Sequence, residues 1–80
     1  MAQRTIDSKI LKSVFRAVPG LVGLPAHRLW TDYDQEADVL YFSFERPQRA
    51  TDSILREDGV LLRYRGKKLV GVTVFEASKR

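Results

Sequence analysis

Eighty residues allow one domain at most. A chain this short buries only about 60–65% of its unfolded surface, so it needs a crosslink, a metal or a second subunit to be secure. Absence of cysteine excludes disulfides and thiolate zinc sites, and a single histidine, His27, cannot build a metal site alone.

The hydrophobic fraction, 44%, is that of a globular protein and not of a disordered one. Oligomerisation is therefore the expected route to stability. The net charge of +4 is unevenly placed. Arg4, Lys9, Lys12, Arg16 and Arg28 face Asp7 alone in the first thirty residues, while nine bases and nine acids balance over 31–80. A basic N-terminal third can attract nucleic acid, anionic lipid or an acidic protein, or it can be a solvated helix face. No apolar run approaches the roughly 20 residues a membrane span needs. The polar start lacks the order of a secretory signal, and a reducing cytoplasm is the expected setting.

Taken in chain order, residues 7–18 read as an amphipathic helix. Ile6, Ile10, Leu11, Val14, Phe15 and Val18 form one apolar stripe, and Lys9, Lys12, Ser13 and Arg16 fall elsewhere on the wheel. Asp7 or Ser8 can cap it. Pro19-Gly20 is expected to end it, with glycine in the left-handed conformation. An apolar connector, 19–27, follows. Leu21, Val22 and Leu24 lie in a stretch without charge, which must cover the sheet or enter an interface.

From residue 28 the apolar period becomes two. Strands are expected over 28–33, 39–44, 51–55, 60–65 and 69–75, with a tail, 76–80, that can form a helical turn. Glu57-Asp58-Gly59 is turn chemistry. Gly66 at the first central position of Arg65-Gly66-Lys67-Lys68 suits a type II′ hairpin. Regular alternation from that turn pairs Tyr64 with Leu69 and Leu62 with Gly71 on one face, and Arg63 with Val70 and Leu61 with Val72 on the other. Short connections predict an antiparallel meander. The fold class is α+β, with the N-terminal helix packed on a five-stranded sheet and residues 1–80 as one domain. Leu40, Phe42, Phe44, Leu62 and Tyr64 are expected on one face. Val39, Tyr41, Leu61, Val70, Val72 and Val74 are expected on the other. One helix can cover only one of them, so a homodimer is expected.

The acidic segment Asp32-Tyr33-Asp34-Gln35-Glu36-Ala37-Asp38 alternates oxygens as calcium loops do. It lacks their central glycine and distal glutamate, which favours hairpin chemistry with Asp34 and Asp38 accepting backbone N–H groups. His27 and the serines sit in no nucleophile motif. No catalytic residue, metal ligand or cofactor is expected. Arg63, Arg65, Lys67 and Lys68 gather on the last hairpin near Tyr41, Tyr64 and Trp30. They offer an anion-binding surface with stacking platforms, without the submotifs of known RNA-binding domains.

Two blocks together carry a resemblance. One runs from Tyr33-Asp34 through Glu36-Ala37-Asp38 into Val39-Leu40-Tyr41-Phe42-Ser43-Phe44. The other runs from Gly59 to Tyr64 and through Leu69-Val70-Gly71 to Ala77-Ser78. Over about residues 29–78 the chain resembles a family of small prokaryotic proteins catalogued as a domain of unknown function. The resemblance implies a small antiparallel-sheet domain with no catalytic residues assigned. Some members are similar in size and setting to antitoxin-like partners of small toxin proteins.

The expected function is a non-enzymatic, homodimeric interaction module, antitoxin-like, with a small toxin-like protein as partner. Trp30, Tyr41, Leu21, Val22 and Leu24 are its candidate interface. Lys9, Lys12, Arg16, Arg63, Arg65, Lys67 and Lys68 are candidate contacts to anions or an acidic partner. The alternative is a nucleic-acid-binding regulator that uses those bases.

Overall fold

A computed structural model describes residues 7–80. Arg4 and Ile6, assigned above to the basic and apolar sides of the first element, lie outside the described residues. Helix α1 spans Ser8–Val22, and Asp7 caps it by accepting a hydrogen bond from the Lys9 N–H at 2.8 Å.

The helix does not stop at Pro19-Gly20. Pro19 lies inside it, and it runs on to Gly23, whose N–H donates to the Pro19 carbonyl and whose φ of −77° is ordinary right-handed geometry. Proline has no N–H for the Phe15 carbonyl, but Phe15 is exposed and water can solvate that oxygen. The extra turn sets Leu21 beside Phe42 and Phe44, where with Leu24 beyond the helix it lines an apolar cleft, and this partial burial favours continuing the helix. The connector is correspondingly shorter, residues 23–29.

The strands are β1 (Trp30–Asp34), β2 (Val39–Ser43), β3 (Asp52–Leu55), β4 (Val60–Arg65) and β5 (Lys68–Phe75), followed by a 3-10 turn over Ala77–Lys79. All neighbours are antiparallel, as expected for an α+β fold of this kind. Their order, β1-β2-β5-β4-β3, departs from a pure meander at one place, because β5 lies between β2 and β4. The reason is burial. β2 and β5 carry the buried residues Val39, Val70 and Thr73, whereas every residue of β3 is exposed. The most apolar strands take the centre, and the weakest takes an edge.

The turns follow their sequence signals. Gly66 has φ +63° and no positive φ occurs at Lys67, the type II′ pattern. Gly59 has φ +80°, and Arg56 N–H donates to the Val60 carbonyl across that turn.

The last hairpin begins in the expected register, Arg65 opposite Lys68 and Tyr64 opposite Leu69, and then slips by one residue, so that Arg63 faces Gly71. Val70 is the extra residue of a β-bulge. It is fully buried, and its carbonyl accepts from Phe44 N–H at 2.9 Å. The bulge overturns the expected faces. Leu62 and Phe42 both sit opposite Val72, and Leu40 and Val60 both sit opposite Val74. Val72 and Val74 thus join the face of Phe42, because residues directly opposite share a face. That face gathers Leu40, Phe42, Leu62, Val72, Val74 and Ile54. The other carries Tyr41, Thr73 and Leu61 with Ser43, Gly71 and Arg63.

The helix covers little of the apolar face. Among the described residues it has none that is buried, and Ile10, Val14 and Phe15 are 58%, 49% and 64% exposed. Val14 and Phe15 are therefore not core residues of the single chain, and only the C-terminal turns of α1 meet the sheet. The molecule measures 50 × 26 × 21 Å with a radius of gyration of 15.2 Å, where a compact chain of this length gives about 12 Å. Its accessible surface is 6974 Å², against about 4,900 Å² for a folded chain of its mass.

Candidate functional site

Three residues join the two ends of the sheet's first hairpin and tail. The β1–β2 turn leaves Asp38 in the left-handed region at φ +55°, a conformation that Asp tolerates better than most residues. The Tyr33 hydroxyl donates to Asp38 Oδ1 at 2.6 Å, the Ser78 N–H donates to the same oxygen at 2.9 Å, and Ser78 Oγ donates to Oδ2 at 2.7 Å. Ala77 N–H donates to the Asp38 carbonyl. These bonds hold the Asp38 carboxyl below its ordinary value, the Tyr33 hydroxyl first among them, and the same bond raises Tyr33. Asp34 Oδ1 accepts from Ala37 N–H at 3.1 Å. Asp34 and Asp38 therefore shape the turn. Among the described residues no group of three or more His, Asp or Glu side chains is placed to hold a metal ion.

The loop after β2 is tied to the last hairpin. Arg65 makes two parallel bonds to the Glu45 carboxylate, both 2.8 Å, and Lys68 Nζ lies 3.5 Å away. Arg65 first, then Lys68, holds the Glu45 carboxyl below its ordinary range. Gln48 closes the loop by donating to Ser43 Oγ at 3.1 Å and the Val70 carbonyl at 3.4 Å. The peptide bond between Arg46 and Pro47 is cis.

This arrangement divides the candidate bases. Arg65 and Lys68 are engaged by Glu45. Arg63 lies between Ser53 and Gly71, its Nε enclosed and without a hydrogen-bond partner. Lys67 is exposed at the hairpin tip. Lys9, Lys12 and Arg16 are exposed, and their spacing of three and four puts them on one side of α1. The hairpin thus has fewer disengaged bases than its composition suggests. At the β3–β4 turn, Arg56 pairs with Asp58 at 3.1 Å, and Arg80 donates to the Phe75 and Gly59 carbonyls. Arg56 and Asp58 thus satisfy one another, and Arg80 is engaged by backbone.

The candidate interface residues do not form one patch. Trp30 and Tyr41 lie on the Arg63 face of β1 and β2. Leu21 and Leu24 lie over the opposite face, where with Ala17, Gly20, Phe42, Phe44 and Val72 they line an apolar cleft of about 300 Å³. Val22 is exposed at the end of α1 beside His27 and Leu29. Gln48 and Glu45 were not singled out by sequence. The proline at 47 marks only a break there and does not say which side chains will turn back on the sheet.

No helix among the described residues is long and apolar enough to cross a membrane. No curated protein and no solved structure matches the chain. A family model does match residues 30–78, from the first residue of β1 to the Ser78 that binds Asp38. Helix α1 lies outside that match. The chain belongs to the family described as Protein of unknown function (DUF2283).

Proposed function

We propose that this chain is a non-enzymatic, homodimeric interaction module, antitoxin-like in its setting, whose partner is a small toxin-like protein. One observation carries the reading: Ile10, Val14, Phe15 and Val18 on the apolar stripe of α1 are exposed, while the helix lies over the apolar sheet face only near Phe42 and Phe44. Monomeric proteins rarely leave contiguous apolar patches of this kind open. The charged groups that shape the turns and loops bond to one another or to backbone, which supports a structural role for them. Sedimentation equilibrium at about 100 μM tests the dimer. A mass of twice 9.2 kDa is expected, and a 9.2 kDa species overturns it. Co-expression with the product of a neighbouring small reading frame tests the partner. A stoichiometric complex that relieves toxicity is expected, and toxicity unchanged by this chain removes the antitoxin role.

A second reading, nucleic-acid binding, rests on Lys9, Lys12 and Arg16 along one exposed side of α1. Phosphate contacts release counterions, so affinity for a random duplex should fall steeply with salt. Binding that is absent at low salt, or insensitive to salt, removes this reading.

A further inference from the structure

We propose that two copies of this chain exchange their helices, α1 of each lying across the Phe42 face of the other's sheet. The proposal rests on the homodimer reading and specifies its geometry. Three observations support it. First, the surplus surfaces are complementary in kind. The chain has one unpartnered apolar helix stripe, led by Val14 and Phe15, and one half-open apolar sheet face, led by Leu62 and Val74. A second copy supplies both in equal number, so a two-fold arrangement can cover each with the other. Second, the stripe is open. Along it Ile10, Val14, Phe15 and Val18 are 58%, 49%, 64% and 42% exposed, and a stable interface needs about 800 Å² from each partner. Third, the charges permit it. Lys9, Lys12 and Arg16 lie off the apolar stripe, so laying that stripe on a sheet leaves them in water. The C-terminal turns of α1 lie over Phe42 and Phe44, while Ile10, Val14 and Phe15 in its earlier turns stay exposed.

The chain contains no cysteine, so introduced thiols are the only ones present. Val14→Cys marks the helix stripe and Leu62→Cys the sheet face. The two variants are mixed in equal amounts under reductant, allowed to exchange subunits, and oxidised. Exchange predicts a disulfide-linked mixed pair in excess over either self-linked pair, and predicts that the double variant links between copies. An intrachain link in the double variant shows the helix folded back on its own sheet and overturns the proposal. Efficient self-linking of Val14→Cys alone shows helix against helix; it overturns the exchange while the dimer stands. A parent protein that sediments as a monomer overturns both. Phe15→Asp is the independent check, since Phe15 is exposed in the single chain. It should yield a monomer whose β-sheet circular dichroism is unchanged, and a dimer that survives the substitution counts against the exchange.

Discussion

Ser78 and Asp38 stand forty residues apart in the chain and are joined by two hydrogen bonds, one from the backbone N–H and one from the hydroxyl. With the Tyr33 hydroxyl they tie the first hairpin to the tail beyond β5. Asp38→Asn keeps an acceptor and a residue that tolerates positive φ, whereas Asp38→Ala loses both. Thermal unfolding should rank alanine well below asparagine, and equal melting points would contradict the role given to the side chain.

The same contact sets a pH dependence. The Asp38 carboxyl titrates below its ordinary value when folded, so its contribution is present above the unfolded value of about 3.9 and is lost as pH falls through the folded one. Glu45 and Asp58 act in the same direction. Tyr33 is raised, so its contribution is complete below about pH 10 and is lost as pH climbs through the folded value. Melting temperature should fall below about pH 4 and again above about pH 10. Tyr33→Phe should flatten the alkaline limb, and an unchanged alkaline limb would refute the assignment.

Gly71 is a position where an added methyl has no room. A Cβ there would collide with the Gln48 amide and approach the Phe42 carbonyl to 3.1 Å. Gly71→Ala should displace Gln48 from Ser43 and Val70 and cost about 1–3 kcal/mol. Urea unfolding measures this, and a change below about 0.5 kcal/mol would mean that the loop yields freely.

Val39, Phe44 and Val70 are the buried apolar residues of the small core, and Phe44 is the largest of them. Phe44→Ala should cost about 3–5 kcal/mol and Val70→Ala about 2 kcal/mol. Phe42, half-buried at the cleft under α1, should cost less than Phe44 in the monomer. The reverse order in urea unfolding of dilute protein would place the core elsewhere.

The strands and their turns were legible because period-two patterning and turn residues such as Gly59 and Gly66 are local signals. The end of the helix was misread because proline's cost is local, while the compensating contact of Leu21 with the sheet is not. The faces of β5 were misread because one extra residue, Val70, reverses everything beyond it. Gly71 was the available sign, since a glycine inside a strand often marks a bulge. The placement of β5 between β2 and β4 was hidden in the relative burial of the strands, which alternation alone does not rank. The Glu45–Arg65 pair could not be foreseen, because it depends on how the loop over 44–51 crosses the sheet. The tail's bond to Asp38 was visible only as two co-occurring motifs, Tyr33-Asp34 to Asp38 and Ala77-Ser78.

That crossover from β2 to β3 divides the molecule's assembly in time as well as in space. The unit β3-β4-β5 is built from adjacent hairpins, and β1-β2 is a hairpin of its own, so each requires only short loop closures. The seam between them pairs Val39–Ser43 with Gly71–Phe75, and closing it means bringing distant chain together, the slow kind of contact. Two pieces of local contact therefore meet along one strand pair, and the Ser78–Asp38 bonds span the join. Native-state hydrogen exchange should reveal the β1-β2 hairpin opening as a unit, at lower free energy than the β4-β5 amides; uniform protection across all five strands would show that the seam does not part separately.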